Sequence, residues 1–298
     1  MEPHWDDLKV FLVVAREESL SAAGRVLRID PATVGRRIAR LEAALGASLF
    51  LKSPQGYALS AAGERLLAHG EDAEQAMRAV TEALAGPSEG LAGQIRIGAP
   101  DGCANYLLPQ VCARIVNDNP DLDIHIVALP RIVNLSRREA DMAIAVSAPS
   151  AGQLLVQKIT DYHLHLVASR RYLRNHPPLK TVDDLRGRRM IGYIPDMIFD
   201  EELDYLNKLG VARVHLASNS VPVQLKLLAQ HGGLGVAHDF TLPSHRQLRR
   251  VLVEEISLTR SFFLVRHQGD QRSERLNRFA TALTRELREE VQRLESVT

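Results

Sequence analysis

Apolar residues over the first sixty positions recur at helical spacing. Leu8, Phe11, Leu12 and Ala15 share one face of a segment from about Trp5 to Arg16. A second short helical pattern runs from about Ser21 to Leu27 through Ala22 and Ala23, small residues that let helices cross closely. A third occupies Pro31–Leu45, where Val34, Ile38, Leu41 and Leu45, spaced 4, 3, 4, make one narrow stripe. Its ends are marked chemically: Asp30 suits an N-cap, Pro31 the first helical position and Gly46 the C′ position. LFLK and YAL then read as two short strands about Ser53-Pro54-Gln55-Gly56, whose Pro and Gly fit a type I turn. From Ser60 as N-cap, a helix over 61–85 carries Leu66, Gly70, Ala73, Met77, Val80 and Leu84 at alternating spacings of 4 and 3. That is a heptad seam, which predicts either pairing with a second subunit or packing within the chain. Gly70 weakens it locally.

The pattern changes after AGPSEGLAG (85–93), a linker by composition. Short β-rich runs follow: QIRIGA, LDIHIVAL, DMAIAV, HLHLVAS, MIGYI and LGVAHDF. They alternate with the helical runs YLLPQVCARIVN, DEELDYLNKL and PVQLKLLAQH. Such alternation predicts βαβ units and a mostly parallel sheet, and its occurrence around 95–160 and again around 163–240 predicts two similar lobes. An amphipathic helix over roughly 272–295 closes the sequence.

Composition narrows the classes. At 298 residues, two or three domains are expected. Hydrophobic residues at 45% and charged residues at 24% are ordinary globular values and argue against global disorder. With 37 Lys+Arg against 36 Asp+Glu, the net charge of +1 says nothing of nucleic acid, so any basic surface must be local. It is local: residues 25–40 hold Arg25, Arg28, Arg36, Arg37 and Arg40 against the single acid Asp30. Thr33, Arg36 and Arg40 lie opposite the apolar stripe of the third helix, with Arg37 on its flank. A helix, a short turn and a second helix with a basic outer face fit insertion into a major groove, and the two strands make a wing with Lys52 at its base. The opening residues do not form a secretory signal, and no apolar stretch approaches the ~20 residues that span a bilayer, so a cytoplasmic location is expected.

Candidate chemistry is sparse. GGLGVA lacks the six-residue dinucleotide fingerprint and follows a helix instead of opening one. No phosphate loop or GxSxG elbow occurs. His163 and His165 would share one strand face near Asp161, a spacing open to a metal site or to a polar strand face. Cys103 and Cys112 read as one helix, roughly 13 Å apart, beyond the ~7 Å a disulfide allows. At a helix start Cys103 would have a lowered thiol pKa and could sense oxidants; otherwise it is a small packed residue. No catalytic residue, cofactor or metal is assigned. In open α/β sheets ligands sit beyond the carboxyl ends of strands, where helix amides point. That singles out Pro100-Asp101-Gly102-Cys103, Asp196-Met197-Ile198-Phe199 and Ser218-Asn219-Ser220. Asp101 has two readings: a cap on its own helix, or a ligand reader that repels carboxylates.

Residues 5–63 resemble the winged helix-turn-helix of LysR-type transcriptional regulators. The resemblance is carried by Leu8, Phe11, Ser19-Leu20-Ser21-Ala22-Ala23, Leu27, Val34, Ile38, Leu41-Glu42, Leu45-Gly46, Leu49-Phe50, Leu59 and Ala62-Gly63. The family usually has Ser or Thr where Gly35 stands and Arg where Lys52 stands. Residues 93–298 are similar to the same family's effector-binding domain through GQIRIG (93–98), Leu107-Leu108-Pro109, Asn119-Pro120-Asp121-Leu122, Ala140-Asp141-Met142-Ala143-Ile144, Asp184-Leu185-Arg186-Gly187 and Gly232-Gly233-Leu234-Gly235-Val236. The resemblance implies an N-terminal all-α winged helix-turn-helix (1–60), a linker and dimerisation helix with hinge (61–92) and a C-terminal α/β, two-lobed, periplasmic-binding-protein-like domain (93–298). Lobe I would take 93–161 and 267–298, and lobe II 162–266. The implied function is sequence-specific binding of double-stranded promoter DNA, modulated by a small-molecule effector between the lobes. The DNA side would comprise Arg28, Pro31, Ala32, Thr33, Gly35, Arg36, Arg37, Arg40 and Lys52. The effector side would comprise Asp101, Gly102, Cys103, Pro130, Arg131, Ser147, Met197, Ile198, Phe199, Ser218, Asn219 and Ser220. A homodimer through the linker helix, and a homotetramer built from it, are the implied assembly. The rival readings are a small-molecule binding protein with an N-terminal dimerisation module and an α/β enzyme.

Overall fold

The computed structural model describes residues 2–53, 56–84, 90–129, 140–149, 154–211 and 213–297. The chain divides into two units, Met1–Pro87 and Ser88–Thr298.

In the first unit the predicted helices form as α1 (Trp5–Glu17), α2 (Leu20–Leu27) and α3 (Pro31–Leu45). Ser19 caps α2 by accepting from the Ala22 amide, and Asp30 caps α3 by accepting from the Ala32 amide. Gly46 ends α3 at φ +63°, a left-handed geometry that costs glycine nothing. Val10–Val14 of α1 are buried with Val34, Ile38 and Leu41 of α3 and with Leu49 and Phe50. Each such side chain contributes about 1.5–3 kcal/mol. The wing is β1 (Phe50–Ser53) antiparallel to β2 (Gly56–Leu59); the turn tip at 54–55 lies outside the described residues. Ser60 caps α4 (Ala61–Leu84), its hydroxyl accepting from the Gly63 amide.

The heptad seam of α4 is divided. Leu66 packs on the first unit's core, and a Cβ on Gly70 would meet Leu12 Cδ2 at 3.0 Å and Leu8 Cδ1 at 3.2 Å. The N-terminal half therefore packs against α1, which Arg16 reinforces by its ion pair with Glu74 (2.7 Å). Further along, Met77 and Val80 are exposed at 50% and 54%. The predicted linker composition falls largely on residues 85–89, outside the described residues.

The second unit is built on β3 (Gly93–Pro100), α5 (Asp101–Tyr106), α6 (Leu108–Asn117), β4 (Leu122–Leu129), β5 (Met142–Ala145), β6 (Leu154–Ser169), α7 (Arg170–Arg174), β7 (Met190–Gly192), α8 (Tyr205–Lys208), β8 (Leu216–Ala217), α9 (Val221–Ala229), β9 (Leu234–His238), β10 (Leu248–Arg250), β11 (Ser257–His267) and α10 (Glu274–Glu295). Among the described residues these strands form one sheet in the order β4-β3-β5-β11-β6-β9-β7-β8, with β10 beside β6. Lobe I is the parallel set β4-β3-β5 and lobe II the parallel set β8-β7-β9. Each is flanked by a long antiparallel strand, β11 or β6, and these two pair with each other from Ser257↔His165 to His267↔Leu154. Within the sheet the two lobes are thus joined through the β6–β11 ladder. α10 buries Leu276, Phe279, Leu283, Leu287 and Val291 and ties to α6, where Arg114 reaches Glu286 (2.7 Å) and Glu290 (3.1 Å).

Several expectations are corrected. Cys103 and Cys112 lie on successive helices: Leu107 leaves the helix at φ −120°, and Pro109 has no N–H to offer a continuous helix. DEELDYLNKL yields a 3₁₀ turn at Glu201–Leu203 and only four helical residues in α8. The strand expected at HLHLVAS begins at Leu154; its first half, LLVQKITD, mixes apolar and polar residues without strict alternation and buries only Ile159, so no strand pattern marked it.

Candidate functional site

Two surfaces of this architecture carry chemistry. The first is the outer face of α3. Burial of Val34, Ile38 and Leu41 turns Pro31, Ala32, Arg36 and Arg40 outward, with Thr33, Gly35 and Arg37 half-buried. Arg28 is exposed in the preceding turn at φ +56°. The Arg36 guanidinium donates to the Thr33 hydroxyl at 2.8 Å, so both project from one patch. Gly35 has room for the larger residue usual in the resembled family, since a Cβ there would meet only Leu20 Cδ1 at 3.5 Å. Lys52 lies in β1 at the base of the wing.

Arg40 differs from its neighbours. Nε and Nη2 make a bidentate pair with the carboxylate of Asp7, a residue of α1 only 1% exposed. The Asp7 hydrogen bond raises the guanidinium pKa further. The sequence placed Arg40 on the outer face by periodicity; the side chain is half exposed, yet it also neutralises a buried acid. Asp7, an acid in the first turn of α1, was not singled out in the sequence, and the pair joins residues 33 positions apart.

The second surface is the cleft between lobes I and II. α5 opens at the carboxyl end of β3, and α9 opens after β8, so both helix starts converge there. Between them a cavity of about 20 Å³ is lined by Pro100–Cys103 from lobe I, Phe199, Asn219 and Val221 from lobe II, and the aromatic rings of Tyr162, Tyr193, His238 and Phe262. It holds about a single water. It adjoins a hollow of about 510 Å³ in lobe II, which shares its wall residues Tyr193, Phe199 and Leu203 and adds Ile198, Tyr205 and Gln224. That is the size of a small-molecule site.

Asp101 is the central residue of the cleft, and neither sequence reading described it. α5 has no side-chain cap. The Asp101 carboxylate instead crosses the cleft: Oδ2 accepts from the Val221 amide at 2.7 Å, and Oδ1 accepts from the Asn105 side chain at 2.8 Å. Asp101 caps the facing lobe's helix α9, whose own N-cap Ser220 makes no side-chain bond. A second bridge joins the Ser147 hydroxyl at the end of β5 to Asp200, whose other oxygen accepts from the Glu202 amide.

The remaining predicted residues divide. Gly102, Cys103, Phe199 and Asn219 line the cavity and Ile198 the adjoining hollow. Ser218 turns inward on its own loop, accepting from the Ser220 amide through its hydroxyl and from Gln224 through its carbonyl. Met197 is 48% exposed and lines neither space. Pro130 and Arg131 lie outside the described residues. Sequence reasoning missed Tyr162, Tyr193, Tyr205, His238 and Phe262, which sit within strands or beyond short helices where no loop signal pointed to them.

Burial sets the electrostatics. The Cys103 thiol is pushed well above its ordinary pKa and that of Cys112 up to about 12, so the expected depression at a helix start does not occur and both thiols stay protonated. His238 is held down to about 4 by desolvation and is neutral at pH 7. Burial also raises Tyr162 and Tyr205. The hydroxyls of Tyr162 and Tyr205 and Nδ1 of His238 are buried without a hydrogen-bond partner among the described residues. His163 and His165 use separate carboxylates, Glu295 at 2.8 Å and Asp239 at 2.9 Å; among the described residues no cluster of metal ligands forms.

Comparison with known proteins gives a consistent picture. Residues 5–64 match the family model described as bacterial regulatory helix-turn-helix protein, lysR family, and residues 88–288 match the LysR substrate binding domain. The transcriptional regulator GltR of Bacillus subtilis is 26% identical over 263 residues, covering 86% of each chain. DgdR of Burkholderia cepacia is 36% identical over 152 residues, about half of each chain. Among solved structures, a full-length OxyR variant from Pseudomonas aeruginosa superposes with a TM-score of 0.73 at 15% identity, covering 96% of this chain and 98% of that one. Full-length LysG of Corynebacterium glutamicum, with bound effector Arg, superposes at 0.67 and 18% identity over 97% and 99%.

Proposed function

Since the chain belongs to the LysR family of bacterial helix-turn-helix regulators, we propose that the outer face of α3 reads promoter DNA while a small molecule between the lobes sets how the subunits present that face. The chain is a DNA-binding transcriptional regulator with an effector-binding domain, not an enzyme. The observation that carries the DNA assignment is the exposed patch of Arg36, Thr33 and the α3 N-terminus above a fully buried Val34-Ile38-Leu41 stripe. Arg28, Arg37 and Lys52 supply phosphate contacts around it; Arg40 shares its charge between DNA and Asp7.

Regulators of this kind act as oligomers. The exposed end of the α4 seam, Met77 and Val80, supports pairing through the linker helix, which would place two recognition helices on a dyad-like operator, and two such dimers would make a tetramer. Binding of promoter DNA supports a cytoplasmic location. The proposed domain limits are 1–60, 61–92 and 93–298, with lobe II taken as 162–266. For the effector, the residues supported by the cleft are Asp101, Gly102, Cys103, Ile198, Phe199 and Asn219, with Ser147 acting through Asp200. An effector switches the protein only if it binds one arrangement of the lobes better than the other.

A gel-shift titration against the DNA upstream of the chain's own gene tests the DNA assignment. Arg36→Ala is expected to cost about 1–3 kcal/mol of binding if it reads a base, or to weaken all sequences alike with a flatter salt dependence if it meets a phosphate. Wild-type affinity at every salt concentration would refute the assignment.

A further inference from the structure

The cleft's charge and its unsatisfied groups point to a class of ligand. The cavity and its adjoining hollow are lined by the carboxylates of Asp101, Asp200, Glu201 and Asp204, and no Lys or Arg lines either among the described residues; Arg260, whose charge acts on Tyr162 and Tyr205, is already paired with Glu202. The one imidazole there, His238, is neutral at pH 7. A helix start facing such a cleft would ordinarily seat an anion. Here that seat is taken: the Val221 amide at the head of α9 already donates to Asp101, so the chain supplies its own carboxylate across the lobes.

Three polar atoms in the walls of these two adjoining spaces have no hydrogen-bond partner among the described residues. Tyr162 Oη and His238 Nδ1 belong to the walls of the cavity and Tyr205 Oη to the wall of the hollow, all deeply buried and unpaired. Leaving a buried polar group unsatisfied is costly, so each gains from a guest that hydrogen-bonds. Tyr193, Tyr205 and Phe199 in the lining of the hollow supply aromatic rings, which attract a cation and not an anion at their faces.

We propose that the effector is a small amine, bound as an ammonium cation among the four carboxylates and the unpaired tyrosine hydroxyls, and that a free carboxylate on the ligand is excluded by Asp101. This rests on the cleft being the effector site. A carboxylate guest would meet like charge and would have to displace Asp101 from α9. An ammonium donates to the acceptors that are present, and an amine is admitted without breaking the Asp101 bridge.

The test uses the full-length protein and three matched probes of one chain length: 1,4-diaminobutane, butane-1,4-diol and succinate, at equal ionic strength. Calorimetric melts should show the diamine raising the C-terminal unit's transition by several degrees, the diol by less, and succinate not at all. Asp101→Asn keeps an oxygen for the Val221 amide and removes only the charge; Asp204→Asn removes a rim charge without touching the bridge. Each should weaken the diamine at least fivefold. Stabilisation by succinate above the diamine, undiminished diamine binding in both variants, or no response to the diamine overturns the proposal. The same probes in the gel shift separate the two readings. A diamine that binds but leaves promoter binding unchanged sinks the effector role of the cleft and leaves the ligand class standing.

Discussion

Acid should weaken the C-terminal unit through a single imidazole. His238 is buried, its ring packed 5.0 Å from Phe240, 5.6 Å from Tyr162 and 6.3 Å from Tyr205, with Nδ1 unpaired. Its pKa falls from 6.5 to about 4 because burial penalises the charged form. The unfolded chain therefore takes up a proton that the folded chain refuses. Stability from this group is complete above pH 6.5 and is lost as pH falls from about 6.5 to about 4, below which both states are protonated. The gap of about 2.5 pH units, at about 1.4 kcal/mol each, amounts to about 3 kcal/mol. His238→Phe keeps a ring in place and removes the base, so subtracting its pH profile from that of the wild type cancels the titration of every carboxylate. Trp5 is the sole tryptophan and lies in the N-terminal unit, so its fluorescence does not follow this transition. Calorimetry or tyrosine near-UV circular dichroism does. The wild type should lose about 3 kcal/mol more than His238→Phe between pH 7 and pH 4; parallel profiles would refute the burial argument.

Arg40→Ala strands the buried Asp7 carboxylate, so it should lower the melting of the N-terminal unit, followed by Trp5 fluorescence, while Arg36→Ala leaves that melting unchanged; equal melting of the two variants would remove Arg40 from its structural role. Met77→Glu and Val80→Glu should shift light-scattering mass toward smaller species, and an unchanged mass would show that subunits do not pair along this part of α4. Cys103 and Cys112 should react with a thiol reagent such as DTNB only on unfolding; fast labelling of the native protein would contradict their raised pKa values. Gly35→Ala should stabilise the N-terminal unit by about 0.4–1 kcal/mol in thermal melts, since its Cβ meets only an ordinary contact at 3.5 Å; destabilisation would count against that geometry.

The features legible in the sequence are those whose physics is local. The bounds of α3 follow from Asp30, Pro31 and Gly46, each acting within a turn of its own position. The Ser60 cap, the wing and the strands β3, β4, β5, β7 and β9 follow from neighbouring residues in the same way, whereas β8, β10 and β11 were not read from the sequence. The features that were not legible depend on partners far along the chain. Asp101 and Val221 are 120 residues apart, and Asp7 and Arg40 are 33 apart, so no window of sequence pairs them. Tyr162 and His238 reach the cleft because β6 and β9 are adjacent strands, a consequence of topology that periodicity does not encode. The break between α5 and α6 was visible at Pro109, but the apolar run across it outweighed that mark.

The order of strands in the sheet also sets a timetable for synthesis. Lobe II is nearly continuous in sequence, from β6 to β10, whereas lobe I is opened by β3 and completed only by β11 and α10. From Gly93 to Leu294 the ribosome adds roughly 200 residues, which at about 5–20 residues per second takes about 10–40 s. During that interval β5 has no β11 beside it, and the apolar face of α6 that α10 will meet stays open. The nascent chain carries a DNA-reading head whose elements are already all synthesised, a lobe II able to collapse early, and an unfinished lobe I between them. Chaperone engagement and aggregation in translation should therefore concentrate on residues 93–145, and truncations ahead of β11 should be insoluble even though they retain every residue of the α3 face.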